Sequence, residues 1–99
     1  MSTLLFEITK GRRPDGTVKA LARVTGTLDA GNLAHFRKIV SRLTRSDVRE
    51  IVLDLAGVTR VDLKGFGAIQ ETEELLETLG GSLRVTGTDL DDTRGFPED

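Results

Sequence analysis

Residues 51–81 constrain the fold of this chain more than any other stretch, because they combine an apolar strand with an amphipathic helix. The strand, residues 51–55, is apolar at nearly every position, which is typical of a central strand covered on both faces or largely buried. The loop that follows ends in Asp62. The helix after that loop ends at Gly80-Gly81 and exposes a row of glutamates. Its predicted apolar stripe consists of Phe66, Ile69, Thr72, Leu76 and Leu79.

The remaining chain adds three strands and one helix around this segment. Alternating residues predict strands at 4–9 and 17–25, joined as an antiparallel hairpin by the turn-forming residues 11–16. Asn32 is the predicted N-cap of a helix whose apolar stripe covers residues 33–43. A last, edge-like strand is predicted at residues 83–86.

The order β-β-α-β-α-β predicts an α/β fold, a small mixed sheet with two main helices packed on it. We expect one domain over residues 1–99, with a core at 4–87 and a short acidic tail at 88–99. The predicted core consists of Phe36, Val40, Ile51, Leu53, Leu55, Phe66, Ile69 and Leu76.

Composition narrows the class of function. A net charge of -2 gives no electrostatic footprint for nucleic acid. With no cysteine and one histidine, His35, the chain offers no thiol nucleophile and no zinc site, so we expect no cofactor, no metal and no enzyme activity. The N-terminus lacks the features of a signal peptide and no stretch is long and apolar enough to span a bilayer, which favours a cytoplasmic protein without membrane insertion.

Asp62-Leu63-Lys64-Gly65, placed between the apolar strand and the helix, resembles the central loop of a STAS domain, the fold of bacterial anti-sigma factor antagonists. The segment 26–29 resembles the family's Gly-x-Leu-Asp connection between strand and helix, and the likeness extends over residues 4–87. In that family the loop reads Asp-Ser-Ser-Gly, and a partner kinase phosphorylates its second serine. Lys64 occupies that position here, so the family's phosphorylation switch is absent there.

The resemblance implies a partner-binding surface made of Thr59, Asp62, Leu63, Lys64, Gly65 and Phe66. Thr59 is a spare hydroxyl in the same region and a candidate phosphorylation site. Asp62 is also a predicted N-cap of the second helix, and Gly65 and Gly67 are expected to permit a close approach of the backbone. The alternative for Lys64 is an exposed lysine without a role.

The resemblance implies a regulatory, protein-binding function in signal transduction and transcription, with a kinase-like anti-sigma factor as the partner. The alternative is a small cytoplasmic subunit of a lipid-transport ABC system that contacts its ATPase. Nucleotide sensing is a minor option, because the sequence contains no phosphate cradle. Family members usually continue into a further amphipathic helix, whereas residues 89–99 are polar and could form at most a turn or two. This chain is then either a minimal domain that is merely short, or one whose bare face is covered by a partner, for which a homodimer is a candidate.

Overall fold

A computed structural model describes residues 3–87 of the chain. Four strands and two helices follow one another in the predicted order β-β-α-β-α-β. The elements are β1 Leu4–Arg12, β2 Val18–Leu28, α1 Leu33–Arg45, β3 Val48–Val61, α2 Leu63–Thr78 and β4 Ser82–Thr86. The prediction of a short or absent C-terminal helix concerns residues 88–99, which lie outside the described part.

The strands form one mixed sheet in the order β1-β2-β3-β4. β1 pairs with β2 as an antiparallel hairpin, whereas β2, β3 and β4 are parallel to one another. Each helix therefore connects two parallel, adjacent strands, as the sequence predicts. Since α1 and α2 both return from the end of one strand to the start of the next, the two helices run parallel to each other.

The helices cover one face of the sheet, and the core lies between them. The largest fully buried side chains include Phe36 of α1, Leu28 of β2 and Leu76 of α2. All predicted core residues in the described part are buried except Phe66, which is half-buried. Phe66 and Leu79 lie at the two ends of the predicted α2 stripe; Leu79 follows the last residue of α2 and is 39% exposed.

Of the two predicted alternatives for residues 51–55 of β3, coverage on both faces is wrong, whereas a largely buried strand is confirmed. Its alternate residues Ile51, Leu53 and Leu55 are buried beneath the helices, whereas Val52 and Asp54 on the other face are partly exposed. That open face carries ion pairs: the Arg23 guanidinium lies 3.6 Å from the carboxylate of Asp54. Apolar residues that face the helices therefore alternate along the strand with residues that face solvent, as in an antiparallel sheet with one solvent-exposed face.

The prediction of a loop between the apolar strand and Asp62 is also wrong, because β3 continues through these residues to Val61. The second half of β3 pairs in parallel with the end of β2, where Gly26 lies opposite Val58 and Leu28 opposite Val61. Register shifts interrupt this pairing, so two residues of β3 face one of β2 at some steps. The extension brings the carboxyl end of β3 level with the carboxyl end of β2.

Candidate functional site

The candidate site lies where β2 and β3 end side by side and the chain turns into the two helices. Residues 29–32 connect β2 to α1, and Asp62 alone separates β3 from α2. The backbone N–H of Asp62 donates to the carbonyl oxygen of Leu28 at 3.1 Å, which continues the strand pairing into the turn. The two connections are therefore neighbours in space although they are 30 residues apart in the chain.

Asp62 joins these two connections with its side chain. Its Oδ1 accepts a hydrogen bond from the backbone N–H of Gly65 at 2.8 Å, which confirms the predicted N-cap of α2. Its Oδ2 accepts from the backbone N–H of Ala30 at 3.2 Å, in the connection between β2 and α1. One carboxylate therefore fixes both the first turn of α2 and the neighbouring loop.

Asn32 is the N-cap residue of α1, as predicted, but its side chain makes no cap hydrogen bond to the first turn of the helix. Its Oδ1 accepts from the backbone N–H of Asp29 at 3.0 Å, and its Nδ2 donates to the carbonyl oxygen of Thr27 at 2.8 Å. Asp29 in turn accepts from the N–H of Gly31 at 2.9 Å. Asn32 is buried, and its side chain connects the end of β2 and the following loop to the start of α1.

Gly65 lies where α2 approaches the end of β2 most closely. A Cβ at this position would lie 2.6 Å from the carbonyl oxygen of Leu28 and 3.0 Å from a methyl group of Val61. The predicted close approach is thus confirmed for Gly65. It is wrong for Gly67, where a Cβ would meet nothing within 4 Å.

Two of the predicted contact residues, Leu63 and Lys64, are exposed to solvent in the first turn of α2. Leu63 is 76% exposed, the most exposed of the large apolar side chains in the described part. Lys64 is exposed and forms no ion pair with any of residues 3–87. Phe66 is half-buried behind them, while Gly65 is buried and can act on a partner only by placing its neighbours.

Thr59 lies near the end of β3, three residues before Asp62. It is exposed, and its Oγ1 donates to the carbonyl oxygen of Gly26 at 3.2 Å. Because it belongs to a paired strand rather than to a free loop, its hydroxyl is held against β2. Its phosphorylation stays a prediction.

Ala30 and Gly31 were not predicted as part of the site. Both are exposed, and the hydrogen bond from the Ala30 N–H to Asp62 places them near the start of α2. The Gly-x-Leu-Asp segment at 26–29 was the signal that could have drawn attention to them, since it marks the end of the neighbouring strand. Within residues 3–87, no group of three or more histidine, aspartate or glutamate side chains could hold a metal ion. Neither helix in that part of the chain is long and apolar enough to cross a membrane.

Comparison with known proteins agrees with this geometry. The sequence profile of the STAS domain matches residues 12–94. No curated protein matches the sequence at a significant level.

Solved structures share the fold. An unphosphorylated anti-sigma factor antagonist, SpoIIAA, superimposes with a TM-score of 0.65 at 20% identity over 82% of this chain and 71% of that one. An anti-sigma factor antagonist STAS domain from Rhodobacter sphaeroides gives 0.64 at 20% identity over 89% of this chain and 92% of its own. The murine anion transporter Slc26a9 contains a similar domain, with a TM-score of 0.61 and 16% identity over 86% of this chain and 16% of the transporter. The chain belongs to the STAS domain family.

Proposed function

We propose that this domain is a non-enzymatic, cytoplasmic binding module that docks on a kinase-like anti-sigma factor through the start of α2. The observation that carries this proposal is that Leu63 is exposed and that Lys64 forms no ion pair with any of residues 3–87, on a turn held by the hydrogen bonds of Asp62. Binding would sequester the partner and so release what it inhibits. The similar structures of anti-sigma factor antagonists support the same class of function.

Lys64 makes the docking constitutive in this proposal. A phosphoserine at this position would bring a charge of about -1.5 to -2, which breaks an interface by repulsion and desolvation. Lysine instead provides a permanent positive charge on a flexible stem. In the first turn of a helix that charge is disfavoured by roughly 0.3–1 kcal/mol, so helix stability does not explain it. An acidic group on the partner does.

The test is a titration calorimetry experiment with the serine-kinase-type anti-sigma factors of the same organism. Lys64→Glu should weaken binding about tenfold at low ionic strength and less at high salt, because an exposed charge pair is screened. Lys19→Glu is the matched control, since Lys19 is an exposed lysine of β2 on the open face of the sheet and forms no ion pair within the described part of the chain. Equal affinity of wild type and Lys64→Glu for a partner that does bind would remove Lys64 from the interface.

Incubation with the kinase and Mg-ATP tests the absence of the switch. Intact-mass analysis should show no added phosphoryl group, because Lys64 has no hydroxyl. A phosphoryl group mapped to Thr59 would instead identify a displaced switch.

The missing serine also suits the second candidate, an accessory subunit that contacts the ATPase of a lipid-transport ABC system and needs no switch. Stable co-purification with that ATPase, together with failure to bind any anti-sigma factor, would decide for this candidate. Genes for an ATPase and a permease beside the gene for this chain would point the same way.

A further inference from the structure

The two helices carry opposite charges. α1 contains the cations Arg37, Lys38, Arg42 and Arg45 and no acidic residue. α2 contains four glutamates, Glu71, Glu73, Glu74 and Glu77, and its only cation is Lys64 in its first turn. All of these charged side chains are exposed. The outer surface of the helix layer, which we call the bipolar face, is thus cationic along one helix and anionic along the other.

Interactions within the domain use little of this charge. Arg37 and Glu71 form an ion pair across the groove between the helices, at 3.2 Å. None of the other six charges on the bipolar face forms an ion pair with another of residues 3–87. Leu75 lines the same groove and is 41% exposed, which places an apolar side chain between the two charged rows.

We propose that the bipolar face binds a second copy of this chain. A surface of one sign fits a partner of the other sign, whereas a face that carries both signs in separate rows is complementary to itself. A two-fold axis that lies in the interface and runs along the helices places α1 of one copy on α2 of the other. An axis across the helices would place α1 on α1 and α2 on α2, and like charges would then repel.

The heights of the residues fit the first arrangement. Arg37 and Glu71 contact each other, and the helices run parallel, so Arg42 comes level with the stretch that holds Glu74 and Glu77, and Arg45 lies just past the end of that stretch. Helical spacing from the buried positions of α1 points Lys38, Arg42 and Arg45 away from the sheet. The two Leu75 side chains meet near the axis, so the interface has an apolar centre and a charged rim.

This interface leaves the proposed docking site free. Leu63 and Lys64 lie about one turn beyond the start of α1, because the level of Leu33 corresponds to Gly67 when Arg37 is level with Glu71. Because the two-fold axis runs along the helices, the proposed docking sites of the two copies lie at the same end of the dimer. A partner with two equivalent sites would therefore engage both copies at once.

The dimer is expected to be weak. A helix of 13 residues is roughly 20 Å long, and two adjacent helices cover roughly 20 Å in width, so the face buries on the order of 400 Å² per copy. That area belongs to the class of transient interfaces. We expect a dissociation constant between micromolar and millimolar that rises with salt.

Sedimentation equilibrium of the full chain from about 10 μM to 1 mM, at low and high salt, measures this association. One variant reverses α1 charges, Lys38→Glu with Arg42→Glu; another reverses α2 charges, Glu74→Lys with Glu77→Lys. Each alone should dissociate at least about tenfold more readily than wild type, and an equimolar mixture of the two should associate again. Lys19→Glu, on the opposite face of the sheet, should change the dissociation constant by less than about twofold.

Disulfide trapping tests the geometry, since the chain has no cysteine of its own. A mixture of Arg42→Cys and Glu74→Cys should form the mixed disulfide in preference to either homodimer. Preferential Arg42→Cys homodimers would place α1 on α1 and overturn the arrangement. A wild-type protein that stays monomeric at 1 mM and low salt, or one whose association is unchanged by the charge reversals, would overturn the proposal.

Discussion

Gly65→Ala is the substitution that tests most directly how the proposed docking turn, residues 62–65, is attached to the sheet. The added Cβ would lie 2.6 Å from the carbonyl oxygen of Leu28, a distance that real Cβ contacts do not reach. That carbonyl accepts the N–H of Asp62, and Leu28 itself is fully buried, so the oxygen has no room to retreat. The first turn of α2 must then move away from the sheet.

The magnitude follows from two opposing effects. Extra atoms in a close-packed site typically cost about 1–3 kcal/mol. Replacing a helical glycine by alanine contributes about 0.5–1 kcal/mol in the other direction, because the unfolded chain loses freedom. We therefore expect Gly65→Ala to lower the free energy of unfolding by roughly 1–2 kcal/mol. Gly67→Ala, where a Cβ meets nothing within 4 Å, should raise it by about 0.5–1 kcal/mol.

Urea unfolding followed by circular dichroism measures both variants against wild type. The midpoints should move in opposite directions while the slope m stays constant, because the same surface is exposed on unfolding. In a domain of this size each kcal/mol shifts the melting temperature by roughly 4–8 °C, so the two variants are easily separated. If Gly65→Ala were as stable as Gly67→Ala, α2 would not approach Leu28 this closely, and the predicted loss of stability would be wrong.

Other predictions concern the cap, the half-buried ring and one titrating carboxyl. Asp62→Ala should cost about 1–2 kcal/mol in urea unfolding, since it removes the cap of α2 and the bridge to the neighbouring loop; an unchanged midpoint would contradict the cap. Phe66→Ala should cost about 1.5–2.5 kcal/mol, roughly half the cost for a fully buried ring, and a loss above about 3 kcal/mol would mean deeper burial. The Thr17 backbone N–H donates to Asp15 at 2.8 Å and, with the Thr17 side chain, lowers the pKa of Asp15 below 3.8. Because the folded pKa is depressed, the small advantage of wild type over Asp15→Ala should be present above pH 3.8 and fade as the pH falls through the lowered value, so an advantage that persists in stronger acid would contradict it.

The sequence predicted those elements in which one periodicity holds over the whole length. The hairpin shows alternation that matches the buried Val18, Ala20, Ala22 and Val24 of β2, and α1 places its buried residues on one helical stripe. These patterns survive because each element has one covered face. The family resemblance then suggested the position of the proposed docking turn, which periodicity alone does not mark.

The second half of β3 escaped prediction for a physical reason. The register shifts opposite Arg23 and Gly26 insert extra residues into β3, and each insertion exchanges the inward and outward faces of the strand. Residues 55–61 therefore show no alternation, and Gly57 looks like a loop residue. Its lack of a side chain is instead required by the neighbouring strand, since a Cβ there would fall within 3.1 Å of the carbonyl oxygen of Val24.

The same extension of β3 helps to hold the proposed docking turn in place through hydrogen bonds within the domain. Strand pairing runs as far as Leu28 and Val61, and Asp62 then anchors the turn through its two carboxylate oxygens and its own N–H. Those atoms are committed to internal hydrogen bonds. What the turn presents outward is the apolar side chain of Leu63 and the charge of Lys64. Since an ordered surface loses little entropy on binding, we expect affinity to depend on the chemistry at these two positions and not on rearrangement of the loop.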